Sequence, residues 1–251
     1  MRTGFARTGA AVFLAMSLAG CAAVTTSIEK RNLDVQVKMS DTIFLDPLPP
    51  QARTVYVEVR NSSDRPDFDL AAAVRAGLEA RGFRVVEDPD AANIILQANV
   101  LQVGRTAESA AERALAGGFG SALEGAVIGG AIGYGLGKAG GNDALLTVGG
   151  AIAGAALSTV AEAAVQDVTF TVITDVQISE RVRSGGLVDQ NEAQNLPQGS
   201  AGTVTQSYAT TTEWKRYRTR IVGTANKANL TYEEAAPVLV ERMTQVMSNM
   251  L

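Results

Sequence analysis

The chain has 251 residues, with 22 Lys and Arg against 26 Asp and Glu, one cysteine and no histidine. The acidic balance argues against nucleic acid as a partner. Without histidine, and with a single cysteine, the sequence offers neither a zinc site nor a Ser-His or Cys-His nucleophile; no isolated acid pair recommends carboxylate catalysis, so no catalytic or metal-binding residue is assigned.

The N-terminus carries Arg2 and Arg7, a short apolar core over 10–18, and then Leu18-Ala19-Gly20-Cys21. A basic start, a short apolar stretch and small residues at the cut describe a secretory signal peptide, here residues 1–20, and not a spanning helix. Leu-Ala-Gly-Cys resembles the lipobox of bacterial lipoproteins, whose cysteine becomes the acylated N-terminus. Cys21 is therefore the expected lipidation site, and that covalent lipid is the only non-protein group expected; no cofactor is. Residue 22 is Ala and not Asp, which leans sorting toward the outer membrane. Several acyl chains, at about 0.8 kcal/mol per buried CH₂, make a stable anchor to outer-membrane lipid.

Residues 21–110 read as a lipid-anchored α/β part. Leu33, Val35, Val37 and Met39 alternate with polar residues, as do Val55, Val57 and Val59 in RTVYVEVR (53–60); both stretches are expected strands. NSSDRPD (61–67) is a turn that can cap a helix. Leu70, Val74 and Leu78 then recur at spacing four, one helical stripe that Gly82 closes. A short strand at 83–86, a DPD turn and a long strand at 93–103 follow.

Residues 111–165 are rich in Gly and Ala. Gly135, Gly137 and Gly140 spell G-x-G-x-x-G, but the motif follows more Gly/Ala sequence instead of a strand, so a dinucleotide loop is set aside. Between Leu115 and Gly137 the only charge is Glu124, and between Ala144 and Ala161 there is none. As helices these arms would be roughly 35 Å and 27 Å long, against a hydrocarbon core of about 30 Å. Gly125, Gly129, Gly133 and Gly137 stand four apart, and Gly150, Gly154 and Ser158 repeat the spacing. Small residues in one ridge let helix backbones pack closely. The expectation is a glycine-zipper helical hairpin with an exposed tip at Lys138, Ala139, Gly140, Gly141, Asn142 and Asp143.

In residues 166–251, Val168, Phe170, Val172, Val176 and Ile178 hold period two. Residues 184–207 are Ser-, Gly-, Asn-, Gln- and Thr-rich and read as a mobile polar loop. EWKRYRTRIV (213–222) reads as a strand closing a long β-hairpin with 168–180, its Lys215, Arg216, Arg218 and Arg220 on a solvated face. Thr231 and Glu234 fit a capping box. Pro237 suits the first turn of a helix starting near residue 236, with Leu239, Met243, Val246 and Met250 as its apolar stripe. The expected fold class is α+β: a small mixed sheet with helices, plus a Gly/Ala-rich α-helical hairpin that enters or spans the outer membrane.

Three stretches, RNLDVQVKMSDTIFLDP (31–47), VTFTVITDVQISERV (168–182) and YRTRIVGTANKANLTYEEAAPVL (217–239), with the lipobox before and the Gly/Ala zone between them, are similar to the TraT family of surface exclusion, or complement resistance, lipoproteins of conjugative plasmids. The resemblance implies an outer-membrane, palmitate-bearing lipoprotein that forms homo-oligomers and blocks redundant conjugation by interfering with mating-pair stabilisation. It implies contact with a donor-cell conjugation surface component and, in some members, serum resistance. It implies no catalysis. The alternative is an oligomeric envelope channel or structural lipoprotein ring.

Overall fold

The computed structural model of the chain describes residues 30–121, 123, 166–182, 186–197 and 203–251. One mixed sheet organises them. In chain order its strands are β1 (Asp34–Met39), β2 (Thr54–Asn61), β3 (Arg84–Val86), β4 (Ile94–Arg105), β5 (Asp167–Arg181) and β8 (Trp214–Ala228). In space they run β1-β8-β5-β4-β2-β3. The β2–β3 and β2–β4 pairs are parallel, and the other pairs are antiparallel. Helix α1 (Ala71–Ala80) is the crossover between β2 and β3, the connection that parallel neighbours need.

Alternation sets which side chains meet the core. Val55 and Val57 of β2, Leu96 and Ala98 of β4, Val172, Val176 and Ile178 of β5, and Ile221 and Ala225 of β8 are all buried on one face. Two helices cover that face: α1, through Val74 and Leu78, and the C-terminal α3 (Tyr232–Asn249), through Ala235, Leu239, Met243 and Met247. Each stripe recurs at spacing four, as one face of a helix must. Asp69 caps α1, its carboxylate accepting from the Ala71 and Ala72 amides at 3.0 and 3.3 Å. A polar side chain there satisfies backbone donors that have no partner inside the helix. A third helix, α2 (Glu108–Gly117), lies on the opposite face and buries Ala111 and Ala114 against Ile173 and Val222. A bulge between Val100 and Gln102 turns Leu101 toward this second cluster.

The structure corrects the expected fold class. The sheet is not small: it has six strands, and β5 and β8 are 15 residues each. No helix among the described residues is long and apolar enough to cross a membrane, which overturns the expected membrane-entering hairpin as a feature of this fold. Where its first arm was to begin, the chain instead forms α2, whose alanines face the sheet. That helix stops at Gly118 (φ 69°), and Gly120 (φ 72°) turns the chain again. Both sit in the left-handed region where an L side chain is strained, so the helix ends before the apolar run starts. Residue 122 and residues 124–165 lie outside the described residues.

Two local expectations also change. The stretch 184–207, read as a polar loop, holds most of a two-stranded antiparallel ribbon, β6 (Val188–Pro197) with β7 (Thr203–Thr212). It carries on the β5–β8 ladder through the Val182 amide, which donates to the Glu213 carbonyl at 2.7 Å. Helix α3 starts at Tyr232, leaving Pro237 inside it. Pro237 is solvent-exposed, so its missing N–H falls on the wet side, where a helix tolerates a bend. Thr231 holds the N-cap position without a side-chain bond, and the Glu234 carboxylate accepts from Lys227 Nζ at 2.5 Å instead.

Candidate functional site

Period-two alternation puts the other residues of each strand on the face that α1 and α3 leave open. Register aligns them in rows. Tyr56, Ile95, Ser179 and Arg216 form one row; Glu58, Gln97, Gln177 and Arg218 the next; Arg60, Asn99, Asp175 and Arg220 the third. The middle row is a continuous hydrogen-bonded ladder across four strands. Arg218 Nε donates to Gln177 Oε1 at 2.8 Å, Gln177 Nε2 to Gln97 Oε1 at 3.1 Å, and Gln97 Nε2 to Glu58 Oε2 at 2.8 Å. Arg60 closes it, donating through Nη2 to Glu58 Oε1 at 2.6 Å. The Gln97 bond, then the Arg60 bond, hold the Glu58 carboxyl below its ordinary value of 4.5. Hollows of about 540 Å³ and 300 Å³ flank the ladder, the first reaching Tyr56 and Trp214, the second Phe119 and Asp175. Cations stack on the aromatic edges: Arg181 Cζ lies 4.6 Å from the Trp214 ring centroid and Arg218 Cζ 5.3 Å from that of Phe119.

The third row goes underground where α2 ends. Arg220 is fully buried. Its guanidinium donates five hydrogen bonds: Nε and Nη2 to the two Asp175 oxygens at 2.6 and 3.0 Å, Nη1 to Ser121 Oγ at 2.6 Å and the Ala114 carbonyl at 3.3 Å, and Nη2 to the Ser121 carbonyl at 3.0 Å. The Gly120 amide donates to Asp175 Oδ2 at 2.8 Å. A planar fork matched to a carboxylate is the geometry arginine serves best. The clasp ties the sheet to the turn from which the chain runs into its Gly/Ala zone. The solvated face expected for Lys215, Arg216, Arg218 and Arg220 is thus corrected for Arg220, whose charge is desolvated and paired.

On the helix side, Lys215 Nζ donates to Asp46 at 2.8 Å and lies 3.9 Å from Glu180, which is 2% exposed. Those carboxylates raise Lys215, the Asp46 bond first. Burial, first, and Glu180 raise the Tyr217 phenol. Tyr232 is pushed up to about 12, mainly by burial, then by an Asp67 hydrogen bond. Among the described residues no group of three or more His, Cys, Asp or Glu could hold a metal ion. Lys215, Asp46, Glu180 and Tyr217 secure one another within the chain.

The family model described as enterobacterial TraT complement resistance protein matches residues 32–251. The chain belongs to the TraT family. It is 38% identical over 236 residues to the TraT complement resistance protein of Escherichia coli strain K12, covering 94% of this chain and 93% of that one. A TraT complement resistance protein of Wigglesworthia glossinidia brevipalpis is 36% identical over 87 residues, 35% of this chain and 36% of that one. Among solved structures, the PelC dodecamer from Paraburkholderia phytofirmans covers 82% of this chain and 94% of its own at 11% identity and a TM-score of 0.31; so slight a likeness carries no argument about fold or assembly.

The TraT match spans the whole open face and the Arg220 clasp. The residues singled out from sequence lie elsewhere. Cys21, the ridge residues Gly125, Gly129, Gly133, Gly137, Gly150, Gly154 and Ser158, and the tip residues 138–143 are all outside the described residues. The Asp175–Arg220 pair was missed: Asp175 is a lone acid within the apolar run VITDVQI, but alternation puts it on the face opposite Val172, Val176 and Ile178, and only α2 and the turn after it bury it, where a charge needs a partner.

Proposed function

We propose that this TraT-family chain is a non-catalytic lipoprotein of the outer membrane that acts in surface exclusion. Acyl chains on Cys21 anchor it, copies associate into a homo-oligomer, and the assembled surface blocks redundant conjugation by interfering with mating-pair stabilisation. The same coat raises resistance to serum. The observation that carries this reading is the family match over residues 32–251, with relatives named complement resistance protein that cover 94% of the chain. The open face supports it: its polar groups are locked into a presented pattern, which suits recognition between surfaces.

The test uses plasmid-free recipients expressing the full chain, or its Cys21→Ser variant, challenged with donors carrying a panel of conjugative plasmids and, separately, with serum. The wild-type chain is expected to lower transconjugant counts for at least one plasmid and to raise serum survival. Cys21→Ser is expected to lose both effects and the membrane fraction. Unchanged counts and survival with wild-type chain abundant in the outer membrane would overturn the reading.

A further inference from the structure

The larger hollow of the open face, about 540 Å³, is lined by side chains from β2, β4, β5 and β8, all interior strands of the sheet. Its volume falls within the range of ligand clefts, about 300–1,000 Å³. Two half-buried aromatic rings mark its limits, Tyr56 on β2 and Trp214 on β8. The strands that carry them stand three spacings apart, roughly 14 Å. The indole rests on a fixed cation: Arg181 stacks on it and is itself held by the Ala92 and Asp90 carbonyls at 3.1 and 2.9 Å.

Between the rings lie the amides of Gln97 and Gln177. Each amide nitrogen carries two N–H groups. The ladder takes one from each, Gln177 to Gln97 and Gln97 to Glu58, and the second is given to no other described residue. The charged groups of the lining are Glu58, Arg216 and Arg218, two cations against one anion.

We propose that this hollow binds an acidic oligosaccharide. A sugar ring has an apolar C–H face that an aromatic ring can cover and a rim of hydroxyls that planar amides and carboxylates can bond. The hollow presents both, and it is held in place before any ligand arrives. The span between the rings calls for an extended ligand, and the excess of arginine favours one that carries carboxylate or phosphate. An extended peptide joins a sheet at its edge, where backbone groups are unpaired; here side chains on the face of interior strands make the site. A lipid tail would need an apolar floor, whereas Ile95 is the only branched aliphatic among the described residues that line the hollow. The site goes beyond the exclusion reading: saccharide binding without any effect on conjugation would leave it standing.

Trp214 is the chain's one tryptophan, so its fluorescence reports the hollow directly. The test titrates the full acylated chain, in a detergent without sugar head groups, with two probes. One is the delipidated core oligosaccharide of lipopolysaccharide; the other is peptide-stripped glycan strands of peptidoglycan, which keep their lactyl carboxylates. A saturable shift with at least one probe is expected, and the probe that gives it names the source. Tyr56→Ala is expected to weaken binding about tenfold, and Tyr56→Phe to keep it, since the ring makes the contact. Gln97→Val with Gln177→Val is expected to weaken it about fivefold to tenfold. Phe119→Ala, which lines the other hollow, is expected to bind as wild type. No saturable shift with either probe overturns the site. Binding that survives both Tyr56→Ala and the double variant places the saccharide elsewhere and overturns it as well. An equal shift with inorganic phosphate alone would make the hollow an anion site and overturn the saccharide.

Discussion

Replacing Arg220 with Met is the sharpest probe of what holds the described body together. The side chain lies fully buried and donates five hydrogen bonds, two of them to Asp175. Methionine fills much of the space but leaves the Asp175 carboxylate with the Gly120 amide as its remaining clasp contact, and leaves the Ser121 and Ala114 carbonyls to find water. Removing one member of a buried pair costs about 3–5 kcal/mol, because the surviving charge is uncompensated. Total stabilities of about 5–15 kcal/mol make that a large fraction. At about 2–4 °C per kcal/mol for a body of this size, the melting temperature should fall by roughly 6–20 °C. Guanidinium unfolding of the full chain in detergent gives the free energy directly, through a lower midpoint at constant slope. The double variant Arg220→Met, Asp175→Leu removes both charges and should recover most of the loss, since apolar replacement of a whole buried pair is near neutral. A single-variant loss under about 1 kcal/mol, or a double variant no better than Arg220→Met, would refute the reasoning.

Further outcomes follow from the same contacts. Glu58 has a lowered carboxyl pKa in the fold; its contribution is therefore present above its ordinary value of 4.5 and is lost as pH falls through the lower folded value. The melting-temperature gap between wild type and Glu58→Gln should shrink on acidification below that point, and a gap that widens counts against the ladder. Tyr232 is raised to about 12, so the fold keeps its proton where the unfolded chain has lost it, and that stability is present below the ordinary phenol value and lost as pH rises toward 12. Spectrophotometric titration should show a late phenolate component absent from Tyr232→Phe; a late component surviving in the variant would reassign it. A Cβ on Gly223 would meet Leu239 Cδ2, Met243 Cγ and Met243 Sδ, each at 3.3 Å, so Gly223→Val should cost about 1–3 kcal/mol by pushing α3 off the sheet, measured by denaturant midpoint. Leu239→Ala, which empties a fully buried site in the same layer, should cost about 2–5 kcal/mol in the same assay.

Much of the sheet is legible because period two is a strong constraint. The alternation at 33–39, 53–60, 93–103 and 168–178 corresponds to β1, β2, β4 and β5. The stripe Leu70, Val74, Leu78 corresponds to α1, whose buried pair is Val74 and Leu78. What escaped was whatever depends on a neighbour distant in the chain. Arg220 reads as one cation in a basic run until Asp175 is placed opposite it by register. The ribbon β6–β7 has few apolar residues to announce a strand; its pairing is inherited from the β5–β8 ladder that runs into it. The start of α3 misled because a proline usually marks a first turn, yet here four helical residues after Tyr232 precede it. The Gly/Ala zone is where composition spoke loudest about helices. Its first described residues are helical in α2, but the chain then turns at Gly118 and Gly120, which local apolarity cannot forecast.

The open face shows why a polar row belongs in the middle of such a sheet. Glu58, Gln97, Gln177 and Arg218 sit directly opposite one another on four strands. A slip of one residue in β2, β4 or β5 would send its member of the row into the core and bring an aliphatic residue out, and in β8 it would bury Arg218 and bring out Tyr217 or Thr219. Each hydrogen bond contributes little against water, but the penalty for burying an amide or a charge without partners is several times larger. The row therefore acts mainly by making wrong registers costly. Parallel pairing between β2 and β4 profits most, because no tight turn fixes their register. The arrangement also keeps the ladder's side chains from wandering, so the same atoms that select the register present one fixed pattern outward. Gln97→Val with Gln177→Val should test the separation of these two roles. The double variant keeps strand propensity, so the native melting temperature should change little. Refolding yield should fall, because the buried-amide penalty against slipped pairings has been removed. An unchanged yield would mean that the core face alone sets the register.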